Sequence, residues 1–155
     1  MTTIRILETT TATPEQFIAG LTDFGPGRAK LFPNSSDADL QVHDKSADQA
    51  DVTEGSKGNW ERLHYDWSDP HRVVLNTTDS NTWANSSTQT YTLTPRSDGK
   101  TDVEMVVVRH GKNLKGHTLA AAFTVIGKSF LGKAFSTTIK AIEARNYGAR
   151  PTDTA

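Results

Sequence analysis

Residues 101–142 read TDVEMVVVRHGKNLKGHTLAAAFTVIGKSFLGKAFSTTIKAI, and their hydrophobic period changes at Gly111. Before Gly111, apolar Val103, Met105 and Val107 recur at every second position and oppose Glu104, which is typical of a strand with one buried face. After it, apolar residues recur at helical spacing, which predicts one long amphipathic helix ending near residues 147–148. The predicted helix stripe is Leu119, Ala122, Phe123, Ile126, Phe130, Ala134, Thr138, Ala141 and Ile142, flanked by Lys115, Lys128, Lys133 and Lys140.

Upstream, residues 39–110 form short segments of period two separated by turn residues, the pattern of an antiparallel meander. Strands are predicted at 40–45, 50–54, 60–67, 72–78, 87–94 and 101–110. The short connections between them predict that sequential strands pair as hairpins.

The first 33 residues predict one strand and two short helices. Residues 4–11 contain β-tolerant side chains, and Thr13, Pro14 and Gln16 then provide an N-cap, a first-turn proline and a capping box. The sequence Gly25-Pro-Gly27 interrupts the helix, so residues 28–32 form at most one further turn before Pro33.

These elements predict an α+β helix-grip fold, a seven-stranded curved antiparallel sheet wrapped around the C-terminal helix, with two short helices between strands 1 and 2. The length of 155 residues suits one domain, predicted at residues 1–148, with a flexible tail at 149–155.

The element order and two local phrases resemble the START-like (SRPBCC) superfamily, which includes the birch-pollen-allergen fold, polyketide cyclase/dehydrase and lipid-transfer-like proteins. The phrases are Thr13-Pro-Glu-Gln-Phe17 and Tyr65-Asp-Trp-Ser-Asp-Pro-His-Arg-Val-Val-Leu75, and the resemblance extends from Ile4 to about Tyr147. The chain departs from many members where Leu31-Phe32-Pro33 replaces a frequent tryptophan after the second short helix.

Composition narrows the function classes. The formal net charge is −1, so the overall composition shows no excess of basic residues that would favour binding to nucleic acid or anionic lipid. Cysteine is absent, which excludes disulfides and thiolate chemistry. No signal peptide or integral membrane segment is predicted, and the expected location is cytoplasmic.

The resemblance implies a cavity between sheet and helix that holds a hydrophobic or amphipathic small molecule. Strand alternation and the helix stripe then predict which side chains line it, although the same pattern also describes a plain core. The predicted ligand-binding residues are Leu63, Tyr65, Trp67, Gln89, Tyr91, Met105, Val107, Arg109, Phe123, Ile126, Gly127, Phe130 and Leu131.

Three polar residues fall on the predicted inner face, where burial is costly without a partner: Glu54, Gln89 and Arg109. We expect a Glu54–Arg109 pair, or either residue alone, to orient a ligand carbonyl or carboxylate. Together with Tyr65, these two residues are the candidates for catalysis.

The remaining ionisable residues with possible acid–base or metal-binding roles are interpreted as follows. Arg62, His64 and Asp66 share one strand face, which is either an acid–base row or a solvated face with a cross-strand ion pair. His110 and His117 lack an adjacent carboxylate to orient them. The histidines show no metal-ligand spacing, so no metal and no cofactor are predicted.

Two motif-like patterns are rejected, and a third motif is absent. The string at 122–129 ends in Gly-Lys-Ser but lies within the predicted helix, where it cannot form a phosphate loop. The Asn-x-Ser/Thr sites would need a secretory route, and no Gly-x-Ser-x-Gly elbow is present.

The leading expectation is therefore binding or transport of a lipid or polyketide-like ligand. The alternatives are a polyketide cyclase/dehydrase-type enzyme and a protein-interaction module of the Hsp90-activator-homologue type. The Gly25–Gly27 elbow or the loop at 80–86 with Trp83 is expected to gate the cavity. The sequence does not indicate an oligomeric state.

Overall fold

The computed structural model describes residues 1–33 and 35–149, with side chains up to Asn146. Seven strands form one antiparallel sheet in the order β1-β7-β6-β5-β4-β3-β2, which confirms the predicted meander. Its strands are β1 (Thr2–Thr10), β2 (Gln41–Lys45), β3 (Gln49–Ser56), β4 (Asn59–Asp66), β5 (Arg72–Ser80), β6 (Thr88–Pro95) and β7 (Thr101–Arg109).

Two short helices, α1 (Pro14–Leu21) and α2 (Arg28–Leu31), and one long helix, α3 (Leu114–Ala149), complete the predicted helix-grip architecture. A 3-10 turn lies at Asp37–Asp39. The capping box before α1 is present, because the Gln16 N–H donates to Thr13 Oγ1 and the Thr13 N–H donates to Gln16 Oε1. Of the predicted tail, residues 150–155 lie outside the described residues.

The packed core occupies the end of the sheet covered by α1 and the C-terminal half of α3. Phe17 of α1 and Ile142 of α3 are completely buried. They lie in one apolar cluster with Val73 and Val103 of the sheet. This cluster fixes α3 on the inner face of the sheet.

The predicted helix stripe is wrong at Ala122 and Ile126, which are exposed. The side of α3 that faces the sheet instead includes Gly127, whose missing side chain admits Ile4 of β1 at close range. Apolar residues occupy more than one side of this helix, so periodicity alone did not set its rotation about its axis.

No helix in the described part of the chain combines the length and hydropathy needed to cross a bilayer.

Candidate functional site

A cavity of about 450 Å³ lies between the inner face of the sheet and α3, beside the packed core. Its volume is within the range of small-molecule sites, and apolar side chains form much of its wall. These apolar and aromatic residues are Phe32, Trp60, Leu63, Leu75, Trp83, Met105, Leu119, Phe123, Phe130, Leu131 and Phe135.

Most of the residues predicted to bind a ligand lie on this wall. The cavity is lined by Leu63, Tyr65, Gln89, Tyr91, Met105, Arg109, Phe123, Phe130 and Leu131, and also by Glu54. Their contact with a ligand stays a prediction.

Four predicted residues do not line the cavity. Trp67 follows the end of β4 and packs partly buried against the core. Val107 is buried beside Ile4 of β1, and Gly127 faces that same isoleucine. Ile126 points away from the sheet, with 59% of its surface exposed.

A buried arginine that the sequence analysis missed forms one polar end of the cavity. Arg28 donates to the carboxylate of Glu54 (Nε to Oε1, 2.5 Å), to the Tyr65 hydroxyl (3.1 Å) and to the carbonyl of Asp23 (2.7 Å). Its guanidinium carbon lies 4.5 Å from the ring centroid of Phe24 and 4.3 Å from that of Phe32. The side chain is 1% exposed, so this cation is fully enclosed by its partners.

Local structure around α2 positions Arg28. Gly27 adopts a left-handed conformation at φ 89°, which turns the chain into the helix. The carboxylate of Asp37 accepts hydrogen bonds from the N–H groups of Gly27 and Ala29, both at 2.9 Å. Thr138 of α3 donates to the carbonyl of Leu31, which ties α2 to the long helix.

Tyr65 is the neutral member of this cluster. Burial raises the pKa of its hydroxyl well above the ordinary value, the negative charge of Glu54 raises it further, and Arg28 opposes the shift. The hydroxyl therefore stays protonated and donates to Glu54 Oε2 at 2.5 Å. For Arg28, burial lowers the pKa, but its interactions with Tyr65 and Glu54 outweigh burial and raise the pKa overall.

A second ion pair lines the cavity at Arg109. Its Nη1 donates to Glu61 Oε2 at 2.7 Å, and the two side chains are 15% and 14% exposed. Thr77 also donates to Glu61, and the guanidinium carbon of Arg109 lies 5.2 Å from the ring centroid of Trp83. The expected Glu54–Arg109 pair is thus wrong, because each residue has a different partner.

The two carboxylates belong to neighbouring strands. Glu54 of β3 and Glu61 of β4 are direct partners in the antiparallel register. Like charges in that arrangement repel, and here Arg28 and Arg109 compensate one carboxylate each. This part of the cavity therefore combines paired carboxylates with guanidinium groups in a neutral array.

Two further groups add hydrogen-bonding capacity. Gln89 Nε2 donates to the Tyr91 hydroxyl, and burial raises the pKa of Tyr91, while Gln89 opposes this shift. Ser35 lines the cavity, and its buried hydroxyl has no hydrogen-bond partner among the described residues. An unpaired buried hydroxyl is costly unless a ligand or water satisfies it.

Glu61 was also missed, although the sequence carried a signal for it. The alternation that directed Leu63 and Tyr65 inward also directs Glu61 inward, because the three are separated by two positions each. Arg28 lacked such a signal, because its partners Glu54 and Tyr65 lie on strands distant in the sequence.

The remaining candidates lie outside the cavity. Arg62 makes a cross-strand ion pair with Asp51 at 2.7 Å, and His64 and Asp66 share that outer face of β4. His110 and His117 lie at a separate small pocket near the start of α3. Within the described ranges, no cluster of three or more histidine or acidic residues is arranged to hold a metal ion.

No protein-family model matches the sequence, and no curated protein sequence matches it. The structure is similar to Zhui, an aromatase/cyclase from a Streptomyces species, with TM-score 0.72, 9% identity and coverage of 99% of this chain and 98% of that chain. It is also similar to a START superfamily protein from Mycobacterium smegmatis (TM-score 0.64, 12% identity, coverage 92% and 95%). The third is the Aha1 dimer from Colwellia psychrerythraea (TM-score 0.64, 14% identity, coverage 92% and 97%). The chain therefore has the helix-grip fold of the START-like (SRPBCC) superfamily.

Proposed function

We propose that this protein binds an amphipathic small molecule, lipid-like or polyketide-like, in the cavity between the sheet and α3. The observation that carries the proposal is a cavity of about 450 Å³ whose wall combines apolar residues with a few buried polar groups. Such a combination is typical of ligand pockets, in which apolar surface supplies affinity and polar groups set the orientation.

The polar groups indicate how the ligand is oriented. Arg109 has five N–H donors, and its hydrogen bond to Glu61 uses one of them. The Ser35 hydroxyl lines the same cavity without a protein partner in the described residues. A ligand carbonyl or carboxylate at Arg109 and an apolar body against Phe123, Leu131 and Met105 would satisfy both kinds of surface.

The test is a binding titration with anilinonaphthalene sulfonate, followed by displacement with fatty acids, sterols and aromatic polyketides. Leu131→Trp fills the cavity, and we expect it to weaken probe binding at least about tenfold through lost apolar contact. Val125→Trp adds the same side chain at a site that is 85% exposed and provides the matched control. Equal binding by both variants and the wild type would contradict the proposal.

A second candidate function is a polyketide cyclase/dehydrase-type enzyme. The specific observation in its favour is the pair of opposed carboxylates, Glu54 and Glu61, beside which the guanidinium of Arg109 can stabilise a developing oxyanion. Neutral Tyr65 donates a hydrogen bond to Glu54 and so helps to orient that carboxylate.

Turnover separates the enzyme from the carrier. A linear poly-β-ketone is incubated with the protein, and the cyclised product is quantified by liquid chromatography. If the protein is an enzyme, the product forms faster than it does spontaneously. The catalysed rate should then fall at least about a hundredfold in Glu61→Gln, which is the loss typical of a general acid or base. A carrier binds the compound and leaves the spontaneous rate unchanged.

The interaction-module alternative calls for a contiguous exposed apolar patch and a filled interior, and the cavity of about 450 Å³ argues against the second of these features.

A further inference from the structure

The turn between β3 and β4 places an exposed lysine on the wall of the cavity. Ser56 and Asn59 pair across this hairpin, so Lys57 and Gly58 form its two-residue loop. Both loop residues have a positive φ, 54° and 80°, as a type I′ turn requires. Lys57 lines the cavity and forms no salt bridge with the described residues.

Lysine is not the residue type that this turn favours. Type I′ turns prefer Asn, Asp or Gly at the first loop position, because these residues adopt a positive φ at low cost. In the described part of the chain, Lys57 is the one residue other than glycine with a positive φ. The turn therefore gains no stability from its lysine, and the place of that side chain on the cavity wall points to a role in binding.

The ionisable side chains of the cavity wall leave one positive charge uncompensated. Arg28 is paired with Glu54, and Arg109 is paired with Glu61. Lys57 is the third cation, and the described residues of the wall include no third carboxylate. A ligand with one negative charge would therefore make the occupied cavity neutral.

An unpaired hydroxyl lies on the segment that packs beside this turn. The Ser36 N–H donates to the carbonyl of Gly55 at 2.9 Å, which holds the segment against β3 two residues before Lys57. The neighbouring Ser35 lines the cavity, and its buried hydroxyl has no partner among the described residues. A carboxylate has two acceptor oxygens, so it can accept hydrogen bonds from both Ser35 and Lys57.

We propose that the ligand is an organic monoanion whose carboxylate binds at the β3–β4 turn, with Lys57 as the residue that determines this specificity. The inference rests on the proposed function, because it names the charge of the ligand for the same cavity. Arg109 then remains available to an uncharged carbonyl at another position of the ligand.

Displacement of Nile red, an uncharged probe, measures the preference for an anion. The competitors are two matched pairs, dodecanoate with dodecanol and naphthoate with naphthylmethanol, so that each pair varies the charge on one apolar body. In at least one pair, we expect the carboxylate to bind at least about tenfold more tightly than the alcohol, because hydrogen bonds to charged groups are the stronger ones. Added salt should weaken binding of the carboxylate alone, since Lys57 is exposed.

Substitutions at the turn separate recognition from folding. Lys57→Asn introduces a favoured turn residue, so it should raise the midpoint of thermal unfolding by about 1–3 °C and still reduce carboxylate affinity about tenfold. Ser35→Ala should reduce that affinity about fivefold without lowering the midpoint, because the hydroxyl has no partner in the described residues. Lys57→Arg keeps the charge and should retain the preference. Lys100→Gln removes an exposed lysine that does not line the cavity, and it should change neither quantity.

The outcomes distinguish this inference from the proposed function. Equal affinity for carboxylate and alcohol in both pairs would overturn the inference, and so would an anion preference that persists in Lys57→Asn or falls equally in Lys100→Gln. Nile red that binds but is displaced by the alcohols alone, or by none of the four compounds, would overturn it as well. If the wild type does not bind Nile red, the proposed function itself fails, and the inference fails with it.

Discussion

The two halves of α3 have similar apolar content but different surroundings. In the C-terminal half, Phe135, Ile139 and Ile142 are at most 4% exposed and pack in the core with α1 and the sheet. In the N-terminal half, Val125 and Ile126 face solvent, while neighbouring residues border the cavity. The difference shows that one half of the helix stabilises the fold while the other half borders the cavity.

The largest effect is expected where the cavity meets the core. Arg28→Met removes the cation that compensates Glu54, leaving a carboxylate that is only 14% exposed next to Tyr65. Loss of one partner of a buried pair costs about 3–5 kcal/mol of the free energy of unfolding, measured by urea denaturation. Arg62→Met, which breaks an exposed pair on the outer face, should leave that free energy nearly unchanged. Similar losses in both variants would contradict the account of the Arg28 cluster.

A matched pair of isoleucines tests the two halves directly. Ile142→Ala opens space in the packed half, where the side chain is fully buried, and should cost about 2–5 kcal/mol of unfolding free energy. Ile126→Ala in the other half should change it by less than about 0.5 kcal/mol. A loss at Ile126 as large as that at Ile142 would show that the exposed half is covered in solution.

A pair of glycines in α3 should respond with opposite signs. A side chain on Gly116 would collide with the carbonyl oxygen of Thr82, so Gly116→Ala should destabilise the protein by about 1–3 kcal/mol. At Gly132 the added methyl would lie 3.9 Å from Ile6 Cδ1, and the better helix propensity of alanine should stabilise by about 0.5–1 kcal/mol. Thermal denaturation of both variants measures the two effects, and the same sign for both would refute the proposed close approach at Gly116.

The smallest effect concerns the contact that holds the end of α3 against the α1–α2 loop. The Gly25 N–H lowers the pKa of Asp23, burial opposes this, and Arg145 of α3 lowers the pKa further. Because the carboxyl pKa is lower in the folded state, the ionised group stabilises the fold above the unfolded pKa, and this contribution is lost as pH falls through the folded pKa.

Asp23→Asn should therefore reduce stability near neutral pH by less than about 1 kcal/mol, with the difference from wild type shrinking below about pH 4. Urea denaturation across pH measures it, with exposed Asp39→Asn as the control. A difference that grows as pH falls would have the wrong sign.

Local signals explain which parts of the structure were predictable. The capping box at Thr13 and the alternation in β6 and β7 depend on residues that are close in the sequence, and both were predicted correctly. The burial of Arg28 was not predicted, because its partners Glu54 and Tyr65 belong to strands that are distant in the sequence.

The partner of Arg109 was unpredictable for a related reason. Alternation assigns a residue to a face of the sheet, but it does not specify which carboxylate on that face an arginine reaches. Glu54 and Glu61 are adjacent in register, and only the tertiary structure shows that Arg109 contacts Glu61. The rotation of α3 about its axis could not be predicted for a similar reason. Ile126 and Gly127 are consecutive residues, so a rotation by one residue exchanges which of them faces the sheet.

Native mass spectrometry of the protein purified from its own host tests the central claim, with denaturing extraction of any bound compound. The account predicts that wild type and Val125→Trp retain an apolar compound with a carbonyl or carboxylate group, and that Leu131→Trp does not. A bare mass for the wild type, unchanged after incubation with fatty acids, sterols and aromatic polyketides, would contradict it.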